Sequence, residues 1–351
     1  MNKLGFAAGA ALLASTAMVQ AGGIERTNQS VDIIFEEGSL VEFGLTYAMP
    51  SVSGFAGADT GIMSPNYFGV SGAYKTDLGD KISLAIIFDQ PFGSAADYPA
   101  GSAYGGAVAE LSSSAITVIG SYDITDKIVA FGGVSYQTMQ ATASLPYAGY
   151  TVDASAASGF GYIAGAAFQI PDIALRVSLT YRSEITTNHD TAETGMPESG
   201  SDITTVTTPQ SVNLEFQTGV NPKTLVFGSV RWVNWAAFDL SPPDLFGATG
   251  SSLINYTDDR VTFNIGVGRK LSETLSAAVT LGYEKNLHGD PSPLSPTDGF
   301  FSLGAGLTYT MGNTKISGGA KYIWLGDSTG LGGSFTDNSA IGIGINFSVA
   351  M

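Results

Sequence analysis

Few side chains in this sequence have the types and spacing that catalysis requires. The chain contains two histidines, His189 and His288, and each has an aspartate within the next two positions. Both fall in segments predicted to be long loops, where a Ser/His/Asp site would lack rigid support. The sequence has no cysteine, which excludes thiolate nucleophiles and thiolate metal sites. We therefore predict a protein that is not an enzyme and holds neither a metal ion nor an organic cofactor.

A second set of chemically capable side chains occupies alternating positions of predicted strands, opposite the apolar side chains. It comprises Glu42, Arg176, Arg182, Glu184, Asn213, Glu215, Gln217, Arg231, Arg260, Glu284 and Lys321. A cationic group at one end of an apolar sleeve can bind a carboxylate attached to a hydrocarbon. The candidate cations are Arg182, Arg231 and Lys321, and the candidate sleeve residues are Phe227, Val233, Trp235 and Phe238. Alternatively, the same charges pair with one another, because burying unpaired charge is costly.

Composition narrows the class of protein in which these residues are placed. Of the 351 residues, 44% are apolar and only 13% are charged, and the formal net charge is −16. The apolar fraction is too high for a disordered chain. The net negative charge argues against a nucleic-acid binder, which needs a basic surface.

The first 21 residues have the pattern of a secretory signal peptide. Lys3 supplies the positive charge, Leu4–Ala17 is apolar, and Val19–Ala21 forms a small-residue cleavage box. A membrane anchor is the alternative, but the apolar stretch is shorter than the ~20 residues that a spanning helix needs. We predict an exported protein whose mature chain begins after this signal.

Period-two alternation recurs along the mature chain and predicts an all-β protein. Between Arg260 and Gly268, for example, the odd-numbered residues are apolar, whereas the even-numbered ones are polar or glycine. Such segments are predicted at 39–49, 67–76, 81–90, 108–123, 127–141, 159–170, 172–185, 204–220, 223–238, 255–270, 273–285, 299–311, 314–325 and 336–349. Their number is even, and short turns alternate with long Gly/Pro/Asp-rich links, which is typical of a transmembrane β-barrel.

A soluble β-sandwich would also show alternation, but its outward face should carry many lysines and glutamates. Here the less apolar face is mostly Gly, Ser, Thr and Ala, and the charges concentrate in turns and loops. Aromatic residues such as Tyr47, Tyr136 and Trp324 cluster near strand ends, as girdles at a membrane interface would. We therefore predict that residues 39–351 form a fourteen-stranded antiparallel transmembrane β-barrel.

Three parts of the sequence resemble the FadL/TodX family of outer-membrane hydrocarbon transporters. In the clearest, Pro209-Gln210, Asn221-Pro222 and Asn234–Phe238 resemble a late hairpin of that family, although alanine replaces the serine that follows its tryptophan. The proline-bearing segment 284–304 and the early segments 78–81 and 88–93 are also similar to the family. The family's Asn-Pro-Ala motif is absent.

The resemblance implies a monomeric barrel in the bacterial outer membrane, surrounded by lipid and lipopolysaccharide, that takes up long-chain fatty acids or other hydrophobic compounds. It also implies that Met139–Gly159 and Thr186–Ile203 are loops that form an outer groove, and that a kink in the barrel wall releases substrate sideways. The alternative is a general diffusion porin, which would be trimeric and open to water. No predicted loop is long enough for a convincing constriction loop, which favours the transporter.

The segment before the first predicted strand, residues 22–38, is shorter than the N-terminal hatch of that family. Its apolar body runs from Val31 to Phe35, and Glu36-Glu37 stands at its end. The sequence leaves two possibilities open. The segment either plugs the lumen or forms a periplasmic tail that leads into the first strand.

Overall fold

The computed structural model describes residues 23–197, 200–287, 292–330 and 333–351, so that the predicted signal peptide and His288 lie outside the described residues. The strands are β1 (Leu40–Ser51), β2 (Tyr67–Asp77), β3 (Ile82–Asp89), β4 (Gly93–Asp97), β5 (Val108–Thr125), β6 (Ile128–Leu145), β7 (Tyr150–Ile170), β8 (Leu175–Arg182), β9 (Ile185–Thr194), β10 (Ser201–Thr208), β11 (Ser211–Asn221), β12 (Thr224–Val233), β13 (Asp239–Leu240), β14 (Ile254–Asn255), β15 (Arg260–Lys270), β16 (Leu275–Glu284), β17 (Phe300–Met311), β18 (Thr314–Leu325), β19 (Ser328–Gly330), β20 (Gly333–Phe335) and β21 (Ser339–Ala350). One α-helix, α1 (Pro243–Thr249), lies between β13 and β14.

Seventeen of these strands form one antiparallel sheet, and the sheet closes because β1 pairs with both β2 and β21. Three crossings of the wall are interrupted: β3 with β4, β8 with β9, and β10 with β11 each make one crossing. Seventeen strands minus three interruptions give fourteen crossings in the described residues. The predicted fourteen-stranded antiparallel barrel is therefore confirmed.

The outer face of the barrel is apolar. On β1, the outward residues Val41, Phe43 and Leu45 are 41%, 46% and 39% exposed. Outward aromatic pairs such as Tyr136–Phe160 have ring centroids 5.1 Å apart. A band of exposed apolar side chains that follows every wall strand is suited to lipid and not to water. Within the described ranges, none of the helices is long and apolar enough to cross a membrane.

Strands β5, β6, β7, β9 and β10 continue beyond this apolar band, and there their outer face is polar. In β9, the exposed residues Thr186, Asn188 and Asp190 alternate with buried ones. The hydroxyl groups of Thr186 and Thr207 are 3.0 Å apart across the β9–β10 pair. Because polar residues outside mark the limit of the lipid-facing surface, these extensions project from the membrane.

The prediction that 139–159 and 186–203 are loops is therefore wrong. Strand β6 runs to Leu145 and β7 begins at Tyr150, while β9 and β10 occupy most of the second segment. These stretches alternate between buried residues and Thr, Ser, Asn or Asp. They lack the apolar outward face by which the membrane strands were recognised.

The N-terminal segment, Gly23–Gly38, runs through the lumen. At one end Ile24 is fully buried in an apolar cluster that we call the loop cluster, whose other members include Trp235, Phe238, Leu245 and Tyr256. At the other end Lys75 Nζ donates hydrogen bonds to the carbonyl oxygens of Glu36 and Gly38, at 2.7 and 3.0 Å. The segment is therefore inside the barrel and is not a tail outside it.

A second apolar cluster, the base cluster, anchors the middle of the N-terminal segment. It consists of Val31, Ile33, Ile34, Leu40, Ala85, Ile119, Phe131 and Ile163. The 3₁₀ turn Asp32–Phe35 carries two of these residues. Residues from β1, β3, β5, β6 and β7 complete the cluster, so that the segment packs against one side of the lumen and leaves the opposite side for polar residues and a cavity.

Candidate ligand-binding site in the lumen

A cavity with an empty volume of about 680 Å³, partly open to solvent, lies between the N-terminal segment and the far wall of the barrel. Asn28 and Asp32 of the N-terminal segment border one side, and side chains from β11, β12, β15, β16 and β18 border the other. The predicted cation Lys321 and the predicted sleeve residue Phe227 both line it. The structure thus brings one member of each predicted set into one cavity.

Lys321 lines this cavity as a buried cation without a bonded partner among the described residues. Its side chain is only 7% exposed, and among the described residues it forms neither an ion pair nor a hydrogen bond. Its cross-strand neighbours on β17 and β21 are both glycines, Gly304 and Gly342. No neighbouring side chain on those strands covers the ammonium arm, which leaves it accessible to a ligand in the cavity.

Thr280 adds a hydroxyl group beside this ammonium arm. Thr280 and Lys321 both pair with Gly304, from opposite sides. A Cβ atom added at Gly304 would stand 2.6 Å from Thr280 Oγ1 and 3.7 Å from Lys321 Cε. The absence of a side chain at Gly304 lets the two polar side chains approach each other. Thr280 Oγ1 is buried and has no hydrogen-bond partner, so both groups are available to an anionic oxygen.

Phe227 provides the apolar part of the cavity wall. Its ring crosses over Gly266 of β15, where an added Cβ atom would come within 2.4 Å of the ring carbon Cζ. Glycine at this position allows an aromatic ring to lie close to the backbone. The rest of the inward lining is mostly polar and includes Arg176, Asp32 and Glu215. The aromatic ring of Phe227 together with the unpaired ammonium group of Lys321 suits an amphiphile with one negative charge.

The other two predicted cations are bonded to the N-terminal segment. Arg231, 3% exposed, donates to the carboxylate of Glu25 and, at 3.0 Å, to Gln29 Oε1. Arg182 donates to the carbonyl oxygen of Gln29 at 2.8 Å. In this structure both arginines hold the segment in place.

More bonds of the same kind follow along the segment. Arg176 forms an ion pair with Asp32 at 2.7 Å, and its guanidinium group lies 4.4 Å from the ring centroid of Phe35. Ser30 donates a hydrogen bond to Glu215 at 3.0 Å. Strand alternation alone does not reveal these partners in the segment. One signal was present: the inward strand positions carry several arginines that need acidic partners.

The remaining predicted sleeve residues are not at the Lys321 cavity. Val233, Trp235 and Phe238 belong to the loop cluster, which fills the barrel at its loop end. The Trp235 ring packs against Phe92, with centroids 5.9 Å apart, and against Tyr256, at 5.0 Å. Burial raises the pKa of Tyr256 to about 12. The loop cluster therefore forms an apolar stopper that lies apart from the lumenal cavity.

One residue of the predicted inward set points outward. Glu184 is exposed. The wall strand is interrupted between Arg182 and Ile185, and Ile185, Thr187 and His189 are the buried residues beyond the break. The prediction for Glu184 is wrong, because simple alternation does not hold across an interruption.

The wall is also interrupted beside the N-terminal segment, between β3 and β4. The β2–β3 ladder ends at the pair Gly72–Phe88, and no described pairing joins β4 to β2. Next to this end, the backbone N–H of Val70 donates to the side-chain oxygen of Gln90, at 2.9 Å. Here a side-chain oxygen, and not the backbone of a neighbouring strand, accepts the hydrogen bond of the Val70 N–H. Because the backbone ladder is missing at this position, the wall is weaker here.

The N-terminal segment covers this place from inside. The backbone N–H of Arg26 donates to the carbonyl oxygen of Pro91 at 2.7 Å, and that of Gly93 donates to Ile24 at 2.8 Å. The guanidinium group of Arg26 lies 4.2 Å from the ring centroid of Tyr67. The interruption therefore opens towards the segment and towards a small cavity that Arg26 and Tyr67 line.

The fold and these interior contacts define a lipid-facing, internally filled β-barrel. No protein-family profile and no curated protein matches the chain. Similar solved structures do exist. A FadL homologue from Pseudomonas aeruginosa has 12% sequence identity and a TM-score of 0.74, with 96% of this chain and 100% of that chain covered.

Two further solved structures are similar to this chain. The toluene transporter TodX from Pseudomonas putida has 13% identity, a TM-score of 0.71 and coverage of 97% of this chain and 98% of that chain. The toluene transporter TbuX from Ralstonia pickettii has 15% identity, a TM-score of 0.65 and coverage of 100% of this chain and 99% of that chain. At such identities the similarity establishes a shared fold, and the barrel architecture implied by the resemblance is confirmed.

Proposed function

We propose that this protein is a channel of the bacterial outer membrane for the uptake of hydrophobic compounds. The observation that carries the proposal is the lumenal cavity that the unpaired Lys321 and the aromatic ring of Phe227 both line. The substrate class that fits is an amphiphile with one carboxylate, such as a long-chain fatty acid. Uncharged hydrocarbons, which the names of TodX and TbuX indicate for those proteins, are the second class.

Lys321 takes the carboxylate in this proposal, with the hydroxyl of Thr280 as a second donor. Arg182 and Arg231 were predicted for the same role, but they would need the N-terminal segment to leave before they could bind a ligand. We assign to them the task of holding that segment. Phe227 contributes to the apolar wall, while Val233, Trp235 and Phe238 form the stopper that a ligand must pass at the loop end.

The N-terminal segment acts as the gate of the channel. It runs along the lumen from the loop cluster to the base cluster and covers the interruption of the wall at Gln90–Phe92. We propose that substrate leaves sideways through this interruption when the segment shifts. An apolar ligand would then enter the lipid and avoid the cost of crossing water. We propose that the channel works as a monomer in contact with lipid and lipopolysaccharide, because its barrel closes within one chain and needs no second chain to complete the wall.

A general diffusion porin remains the alternative function, and a filled lumen disfavours it. The described N-terminal segment and the loop cluster occupy space that a porin keeps open to water. An ion-conducting pore would therefore require both to move. We expect a low conductance for the resting protein, in contrast to a porin.

The experiment that tests the binding site compares two ligands of equal chain length, palmitate and the uncharged 1-hexadecanol. Lys321→Met should weaken palmitate binding to the purified barrel by about tenfold or more, the value of one charge-assisted hydrogen bond. It should leave hexadecanol binding nearly unchanged. Lys321→Arg is the matched control and should retain palmitate binding. Equal loss for both ligands would indicate damage to the barrel, and no loss for either would remove Lys321 from the site.

A further inference from the structure

Arg269, near the end of β15, faces lipid and not the lumen. The residues at alternate positions before it, Val267 and Ile265, are exposed on the outer face of the barrel. By the same alternation, the other cations on strands of the closed sheet face inward. They are Lys75, Arg176, Arg182, Arg231, Arg260, Lys270, Lys315 and Lys321. In the described part of the chain, Arg269 is therefore the one cation that a wall strand directs towards the membrane.

The position of Arg269 along its strand places it at the periplasmic surface of the membrane. Strand β15 ends at Lys270, and residues 271–274 turn the chain into β16. Short turns of such barrels lie on the periplasmic side. Tyr309, an exposed aromatic residue near the same end of β17, marks the membrane interface. A charged side chain is costly at the centre of a bilayer, whereas at this depth it contacts lipid head groups.

Lys223 stands beside Arg269 and adds a second positive charge. Thr224 is the cross-strand partner of Arg269, and its hydroxyl oxygen lies 3.4 Å from Nη1 of the arginine. The backbone N–H of Lys270 donates to the carbonyl oxygen of Lys223 at 2.8 Å. Arg269 and Lys223 therefore lie on the adjoining ends of two neighbouring strands, on the periplasmic side of the barrel.

The carboxylate of the adjacent turn is paired with a third cation. Glu273 accepts a hydrogen bond from Lys270 at 2.8 Å, and this bond lowers the pKa of Glu273. Arg269 and Lys223 form no ion pair with any residue that the structure describes. The four residues together carry an excess of two positive charges. Such an excess at a membrane surface attracts anionic lipid head groups.

An apolar groove leads from these cations towards the centre of the membrane. Arg269 pairs with Ala277 of β16, which pairs with Leu307 of β17. The larger side chains of Arg269 and Leu307 thus flank a single methyl group. The guanidinium group of Arg269 is directed to Thr224, on the side away from Ala277. Val279, the next outward residue of β16, continues the apolar surface, so that an acyl chain can lie over Ala277.

We propose that Arg269, Lys223 and Ala277 form a binding site for one anionic glycerophospholipid of the periplasmic leaflet. The lipid phosphate contacts the guanidinium group of Arg269 and the ammonium group of Lys223, and one acyl chain lies in the groove over Ala277. The planar donors of an arginine match the oxygens of a phosphate group. The site lies on the outer face of the barrel, and it does not depend on which compound the lumen carries.

The test measures lipid binding to the purified barrel in detergent by native mass spectrometry. The probes are phosphatidylglycerol and phosphatidylethanolamine with the same acyl chains. The wild type should bind one phosphatidylglycerol about tenfold or more tightly than phosphatidylethanolamine. The double variant Arg269→Gln with Lys223→Gln should lose this preference. Lys81→Gln with Lys127→Gln removes two exposed cations from other turns and should retain it. Lys223→Gln alone, in an exposed turn, serves if the first double variant does not fold.

A second arm tests the groove. Ala277→Leu fills it and should weaken phosphatidylglycerol binding by about tenfold, because the acyl chain loses its contacts there. Ala166→Leu places the same side chain on the outer face of β7 and should leave binding unchanged. Equal binding of the two lipids by the wild type would overturn the site. Equal losses in the two double variants, or unchanged binding in Ala277→Leu, would overturn it as well.

Discussion

The bond between Arg231 and Glu25 should keep the N-terminal segment docked in the lumen. Arg231 is 3% exposed, and Glu25 is 11% exposed. Glu25→Ala would leave a buried guanidinium group with neutral acceptors, namely Gln29, Asn213 and Ser211. Breaking a buried ion pair costs about 3–5 kcal/mol. The remaining hydrogen bonds offset part of this cost, and we expect the docked state to lose roughly 2–3 kcal/mol.

A loss of that size corresponds to a population shift of about 30- to 150-fold towards the undocked state. Single-channel recording in planar bilayers measures it as an increase in open probability. Glu273→Ala removes a carboxylate that is 91% exposed in a turn and serves as the matched control. The double variant Glu25→Met with Arg231→Met removes both charges and should return the open probability towards that of the wild type. If Glu25→Ala opens no more often than Glu273→Ala, the segment is not held by this pair.

Three further predictions concern the stopper, the wall and the carboxylate site. Trp235→Ala should lower the free energy of unfolding in detergent by about 3–5 kcal/mol. Trp324 is 45% exposed on the outer face, so Trp324→Ala should lower it by less, and equal losses would contradict a packed stopper. Gln90→Leu removes the side-chain oxygen that accepts from the Val70 N–H, and should therefore speed hydrogen exchange of that amide. Gln90→Glu keeps an acceptor and should not, so similar exchange rates in both variants would exclude the side-chain hydrogen bond. Gly304→Val should weaken palmitate binding more than toluene binding, because its side chain would separate Thr280 from Lys321. Retained palmitate binding would contradict that geometry.

The membrane-spanning strands could be predicted from the sequence because lipid imposes a simple pattern on them. Their outward residues are apolar, as at Val41, Phe43 and Leu45, and their inward residues are small or polar. The extensions of β6, β7, β9 and β10 could not be predicted in this way. Outside lipid, a strand can present threonine and asparagine on its outer face, and the period-two pattern of apolar residues then disappears.

The candidate site was predictable only in part, for a related reason. Alternation placed Lys321, Arg182 and Arg231 in the lumen, but it carries no information on which cation has a partner. That depends on Glu25 and Gln29, which are about 150 to 200 positions away from Arg182 and Arg231 in sequence and reach these two arginines only through the fold. The same limit applies to Trp235, whose burial in the loop cluster depends on packing between loops and not on strand alternation.

The central claim is that the barrel carries hydrophobic compounds and does not conduct ions freely. Uptake of a labelled long-chain fatty acid and of labelled toluene into liposomes that contain the purified barrel tests it directly, with ion conductance recorded on the same preparation. We predict saturable uptake of at least one of these compounds with little conductance. A large, steady conductance with uptake that does not saturate would contradict this account and would identify a porin.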